Sequence, residues 1–465
     1  MKFRAITISV YLLGATVLLA AQEPSDQDEP TAKTNASHRA KADKSTNTVA
    51  KAGKDSETNK VAEAIKETQP RKGIPNFFQK LEDGRSVRIA YFGGSITAQE
   101  GWRPQTLTAL RQQFPNANIK QINASIGGTG SDLGVFRFRQ DVLDHDPDLV
   151  FVEFAVNDAG ADAAQIIRCM EGIVRQAWDF DADLDLCFVY TIAGNMLETY
   201  QAGKIPKSVA AMEKVASHYG IPSINFGVEV VKLAKEGKLL FKADLPITAQ
   251  QKTNLTGKIL FSPDGVHPYP ESGHELYAKS VVRSIPIMRA DRKPERHLVP
   301  KPLDVDNYEN ARLVPLSKAR LSSGWVKLDP ATNIVARRFH DRLPEIWKTS
   351  RPGDSLAFTF RGTSVGIYDL LGPDCGQVIF SLDDQPSKIR PRFDSFSTYH
   401  RLGALNVANG LPDRVHSVRF ELHSEQPDKA AILAQRQEKM DDPRRYDDRA
   451  WYAGAIMIIG DLLTK

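Results

Sequence analysis

Cysteine is scarce in this chain of 465 residues, with only Cys169, Cys187 and Cys375 present. Three thiols cannot staple a small disulfide scaffold, and two buried thiols are favoured over a Cys169–Cys187 bridge. An excess of one charge is also missing. The 61 Lys and Arg face 57 Asp and Glu, leaving a formal net charge of +4, which excludes a protein built around a basic nucleic-acid face. No internal repeat of useful period is visible, so solenoid and propeller folds are set aside. Between residues 22 and 70 there is no Leu, Met, Cys, Phe, Trp or Tyr at all. Such a stretch cannot bury enough apolar surface to offset the entropy of ordering it, and it reads as a flexible linker.

The rest of the chain has the makings of a core, with 41% hydrophobic residues overall. Residues 1–21 start with Lys2 and Arg4, continue as an apolar run to Leu19 and end on Ala20 and Ala21, the pattern of a secretory signal peptide. The run is a little short for an uncleaved anchor, and no Cys follows it to carry a lipid. A secreted or periplasmic protein is expected, meeting the membrane only transiently during export.

From Arg71 to about residue 290, short apolar runs alternate with helical patterns. Val87–Phe92, Ile119–Asn123, Leu149–Phe154, Leu184–Thr191 and Ile221–Asn225 read as buried strands. Gln105–Phe114, Ala164–Trp178 and Val209–His218 carry apolar residues at helical spacing. The alternation predicts a three-layer α/β/α domain around a parallel sheet over 71–290. Beyond a proline-marked connection, period-two runs follow at Leu356–Arg361, Ser364–Leu370, Gly376–Leu382, Val415–Leu422 and Trp451–Ile459. They predict a second domain over 300–465, an antiparallel β-sandwich of jelly-roll type, interrupted by a polar insertion near Gln426–Arg449. Trp325, Trp347 and Tyr368 in it suit either sugar stacking or, more often, a core, and Asp374, Asp383 and Asp384 read as turn residues before a calcium site.

Four blocks carry chemistry. Phe92-Gly93-Gly94-Ser95-Ile96-Thr97 follows the first strand, where glycines permit a tight turn that lifts Ser95 beyond the strand's carboxyl end; read alone, Ser95 could equally cap a helix. Asn123-Ala124-Ser125-Ile126-Gly127-Gly128-Thr129-Gly130 offers exposed backbone N–H groups for an oxyanion, or is a plain turn; without a Lys-Ser/Thr pair it is no nucleotide P-loop. Asn157, closing Phe151–Asp158, could donate an amide hydrogen bond or cap a turn, while Glu153 in the same strand reads as structural. Asp264 and His267, three apart on a Gly/Pro-bounded loop, can set a carboxylate against an imidazole whose other nitrogen faces a serine. A metal pair is the rival reading, but no nearby third His or Cys completes it, and His274 reads as a packing residue.

Together and in this order, the blocks resemble the SGNH/GDSL hydrolase superfamily over roughly residues 85–290. The Gly-Gly-Ser-Ile-Thr start, with Gly101-Trp102-Arg103 soon after, is similar to its secreted carbohydrate esterases. One departure is plain: the family's Gly-Asp-Ser is Gly93-Gly94-Ser95 here. The resemblance implies Ser95 as nucleophile, His267 as base and Asp264 as its partner. It further implies an oxyanion hole from the N–H groups of Ser95 and Gly128 and the Asn157 side chain, and no metal or organic cofactor. Trp102 and Arg103 are expected to contact substrate. The implied reaction is removal of acetyl or other short acyl groups from an O-acylated carbohydrate or polysaccharide. A lipase or lysophospholipase of the same fold and a non-catalytic glycan-binding protein are the alternatives.

Overall fold

The computed structural model describes residues 65–246, 255–290 and 293–463. The expected signal peptide and nearly all of the expected linker lie outside the described residues. The linker's final residues do not fit that expectation. Thr68–Gln69 (β1) pair antiparallel with Ser223–Ile224, and the Glu67 carboxylate accepts hydrogen bonds from Arg283 and Ser280. A polar edge strand needs no apolar residues of its own once a neighbour supplies the ladder, so composition placed the boundary too late.

The first domain is a sheet of six strands in the order β1-β6-β5-β4-β2-β3, with Ser86–Gly93 (β2), Asn118–Asn123 (β3), Leu149–Glu153 (β4), Asp185–Tyr190 (β5) and Ser223–Asn225 (β6). All pairs except β1–β6 are parallel. All five residues of β4 and all six of β5 are buried, as expected of strands covered on both faces. Helix Ala163–Phe180 (α5) shows how the covering layer is specified. Ile166, Met170, Ile173, Val174 and Ala177 form one buried stripe, and the Asp162 side chain caps the start by accepting from the Ala164 N–H at 2.9 Å. Because β2 lies between β3 and β4, the chain leaves it toward one side first and the other later. The crevice at the carboxyl ends of β2, β3 and β4 is thus the switch point where open α/β sheets bind ligands.

The second domain is antiparallel, a nine-stranded sheet curled around its own core. Its centre is three long strands, Ser355–Leu371 (β13), Arg401–Leu422 (β16) and Trp451–Leu463 (β17). The two runs expected at 356–361 and 364–370 are one strand, broken in register between Gly362 and Ser364. That irregularity switches the inward parity from Leu356, Phe358 and Phe360 to Val365 and Ile367, so the strand bends while keeping its apolar side inside. Gly362 and Gly460 make the crossing possible, since a side chain on either would overlap the other strand's backbone. In β17 both faces are buried. Trp451, Ala453, Ile456 and Ile458 point into the curl, while Tyr452, Ala455, Met457 and Ile459 join the core of the first domain. Trp325 and Tyr368 are buried and serve packing, not sugar stacking, and Trp347 is half-buried.

Candidate active site

Ser95 opens a single helical turn, Ser95–Ala98 (α2), directly after β2. The turn is held from beneath by the buried carboxylate of Glu153 at the end of β4. Thr97 donates its hydroxyl to Glu153 Oε2 at 2.8 Å, Thr191 donates to Oε1 at 2.6 Å, and the Gly94 N–H adds a third donor. Burial pushes the Glu153 carboxyl up, and these three bonds oppose it. Sequence reasoning expected Glu153 to have structural partners, and it has them.

From the far end of the domain, strand Ile259–Ser262 (β8) delivers the loop with Asp264 and His267. His267 Nε2 lies 2.8 Å from Ser95 Oγ, and His267 Nδ1 lies 2.7 Å from Asp264 Oδ2. Asp264 Oδ1 accepts the N–H groups of Val266 and His267, each at 2.8 Å, and the Ser262 hydroxyl at 3.0 Å. Burial works against the Asp264 carboxylate, yet the imidazole and those N–H groups outweigh it and hold its pKa well below the usual range. With Nδ1–H donated to a fixed carboxylate, Nε2 is left to accept the serine proton.

The glycine loop and Asn157, which carry the expected oxyanion donors besides Ser95 itself, lie beside the serine turn. A Cβ on Gly127 would sit in ordinary contact with Ser95 Cβ, at 3.6 Å, and Gly128 follows with φ +74°, in the region that favours glycine. Asn157 occupies the space a side chain on Gly94 would need, since a Cβ at Gly94 would overlap Asn157 Oδ1. Glycine at position 94 thus leaves room for the amide. Among the described residues the Asn157 side chain has no hydrogen-bond partner, so its N–H₂ is free to donate.

Trp102 and Arg103 do not face substrate. Trp102 is fully buried against Tyr91, Phe151 and Phe226. Arg103, 1% exposed, donates to the carbonyls of Thr97, Ala98 and Gln99 and to Gln121. Both open helix Trp102–Gln113 (α3), whose rotation turns them inward; Arg103 closes the open carbonyl end of α2. His274 packs as expected, accepting the Trp102 N–H at Nδ1 and meeting Gln99 Oε1 at Nε2, both at 3.3 Å. Burial lowers its pKa to about 4, so it is neutral.

All three cysteines are free and buried. Asp374, Cys375 and His400 cluster within 4.8 Å in the second domain. Both Asp374 oxygens are already engaged, by His400 at 2.7 Å and by the Tyr452 hydroxyl at 2.5 Å, so the group reads as a polar knot.

Residues 91–274 match the GDSL-like Lipase/Acylhydrolase family. A search of curated protein sequences returned no match. Among solved structures, the chain is similar to a two-domain esterase (CEX) active on acetylated mannans, co-crystallised with mannopentaose. Identity is 20% and the TM-score 0.64, covering 85% of this chain and 98% of that one. A second structure of a two-domain esterase (CEX) active on acetylated mannans gives 19% identity and a TM-score of 0.63 over the same shares. At such identities the likeness establishes the fold, and it extends over both domains. The serine turn, the glycine loop, the asparagine and the Asp-x-x-His loop thus meet at one rim of the sheet, within the segment 91–274 that matches the GDSL-like Lipase/Acylhydrolase family.

Proposed function

We propose that the protein is a serine esterase that removes acetyl or other short acyl groups from an O-acylated carbohydrate, acting outside the cytoplasm. The observation that carries this reading is the unbroken line from Ser95 Oγ through the His267 ring to Asp264. Ser95 attacks the ester carbonyl while His267 Nε2 takes its proton. The negative charge moves to the carbonyl oxygen, where the N–H groups of Ser95 and Gly128 and the Asn157 amide receive it. Collapse expels the alcohol, which takes the proton back from His267, and water repeats the sequence on the acyl-enzyme. Asp264 holds the ring in its tautomer and balances the imidazolium.

The carbohydrate half of the proposal is supported by the shared two-domain fold of the mannan-active esterase. Export is supported by the pattern of residues 1–21. The test is turnover of p-nitrophenyl acetate against the octanoate, then of a panel of acetylated polysaccharides, with Ser95→Ala as blank. Acetate should be strongly preferred, and Ser95→Ala should lower kcat by roughly 10⁶-fold. A preference for octanoate favours a lipase-like activity instead. Absence of turnover dependent on Ser95, with glycan affinity intact, would leave a binding protein.

A further inference from the structure

The carboxyl ends of β2 and β3 are tied together by one buried cation. Arg137, on helix Ser131–Asp141 (α4), is fully buried. Its Nη1 donates to the Ala124 carbonyl at 2.6 Å and its Nη2 to the Gly93 carbonyl at 3.4 Å, while the guanidinium lies over the Phe92 ring at 4.4 Å. The Ile126 N–H donates to the same Gly93 carbonyl at 3.0 Å. Gly93 immediately precedes Gly94-Ser95, and Ala124 immediately precedes Ser125–Gly128. One guanidinium therefore sets the spacing between the turn that bears the serine and the loop that bears the oxyanion N–H. A planar fork with five donors can do this, whereas a lysine offers only a point charge.

Burial lowers the Arg137 pKa, and Asp141, four residues on, opposes that by pairing with Nη1 at 2.9 Å. Asp141 is itself 1% exposed and lies against the second domain. There Arg342, between that domain's helix Ile334–Phe339 and strand Trp347–Thr349, brings Nη1 to 3.8 Å from Asp141 and donates Nη2 to the Asn123 carbonyl at the end of β3. The Gln140 side chain donates to the Arg342 carbonyl at 2.8 Å, fixing the arginine's own backbone on α4. The sequence Arg342, Asp141, Arg137, Gly93 carbonyl is thus continuous from one domain to the nucleophile turn of the other.

We propose that Arg342 is a positioning residue through which the β-sheet domain holds the spacing of the nucleophile turn and the oxyanion loop. This rests on the esterase reading above and adds a catalytic duty for the second domain that requires no contact with substrate. Without Arg342, Asp141 loses its second cation, the Asn123 carbonyl loses its donor, and Arg137 alone must hold both strand ends.

The test compares full-length Arg342→Ala and Arg342→Lys with Met457→Ala, which opens an apolar contact between β17 and the core of the first domain. Each is assayed for kcat and KM on p-nitrophenyl acetate and for Tm. Arg342→Ala should lower kcat about tenfold with KM changed by no more than about twofold, as expected when reacting groups are misplaced rather than substrate released. Added methylguanidinium should restore part of that loss, and Arg342→Lys should fall between. Met457→Ala should lower Tm at least as much while keeping kcat within about twofold. If Arg342→Ala keeps wild-type kcat, or if Met457→Ala loses the same factor, the inference is overturned while the esterase reading stands. A wild type without Ser95-dependent turnover removes both.

Discussion

Ser95 and His267 face each other across 2.8 Å, but the two sides that bring them there are built differently. On the serine side nearly everything is buried: Glu153, Thr97, Trp102, Arg103 and Arg137 are each at most 1% exposed, and every turn carbonyl they reach is bonded. The base side is open and local. The Asp264 and His267 side chains are 41% and 35% exposed, and most of the bonds that shape the loop run between neighbours from Ser262 to His267. One longer tie is the Gly194 N–H donating to the Gly265 carbonyl at 2.8 Å. A nucleophile must sit still relative to the oxyanion donors, so its turn is clamped by the core. An imidazole has only to exchange a proton and reach solvent water for the second half-reaction, so a short self-bonded loop suffices.

The two sides should therefore respond differently to substitution. On the base side, Asp264→Asn keeps the shape of the loop but offers the wrong partner to His267 Nδ1. We expect kcat to fall by roughly 10⁴-fold with only a small loss of Tm, since solvent screens a carboxylate that is 41% exposed. Initial rates on p-nitrophenyl acetate beside a thermal melt would check this. A large loss of Tm would mean the loop is a structural part of the core. On the serine side, Glu153→Ala strands the hydroxyls of Thr97 and Thr191 and the Gly94 N–H in a buried site. Loss of stability of about 2–4 kcal/mol should accompany a fall in kcat, read by urea denaturation and the same assay. A variant that lost activity but kept its denaturation midpoint would erase the contrast between the sides.

The same contrast explains what could be read without coordinates. Ser95, Asp264 and His267 stood out because glycine and proline bracket them on loops, where turn chemistry is local and short-range order shows in the sequence. Trp102 and Arg103 were misassigned for the opposite reason. Proximity to Ser95 along the chain suggested the crevice, but α3 turns them into the core, and burial is set by distant partners such as Phe226 and Gln121. Arg137 and Asp141 were not singled out at all. Their spacing of four, on a helix otherwise rich in buried apolar residues, was the available signal. The first half of β16 was also missed, since Asn406, Asn409 and Gly410 look like a turn, yet Gly403–Asn409 pair with β13 across one register shift at Val407. An antiparallel strand with one face toward solvent can carry such residues. The parallel strands were legible because burial on both faces leaves an uninterrupted apolar run.

His274 lies where the two sides meet, and it permits the finest discrimination between them. Although it belongs to the helix that follows the base loop, it is buried and receives the Trp102 N–H from the serine side. Its pKa is lowered from 6.5 to about 4, first by burial and then by His267 and Arg103. In the unfolded chain the ring binds a proton near pH 6.5, whereas in the folded protein it resists until about pH 4. Between those values the unfolded state holds more of this proton, so the part of the stability that depends on His274 rises with pH, and acidification from pH 7 to 5 should remove about 2 kcal/mol of it. His274→Gln keeps an acceptor and a donor without titrating, and it should flatten that part of the stability profile measured by urea denaturation. If the profile between pH 7 and 5 is the same in His274→Gln as in the wild type, the buried ring is not where protons unfold this domain.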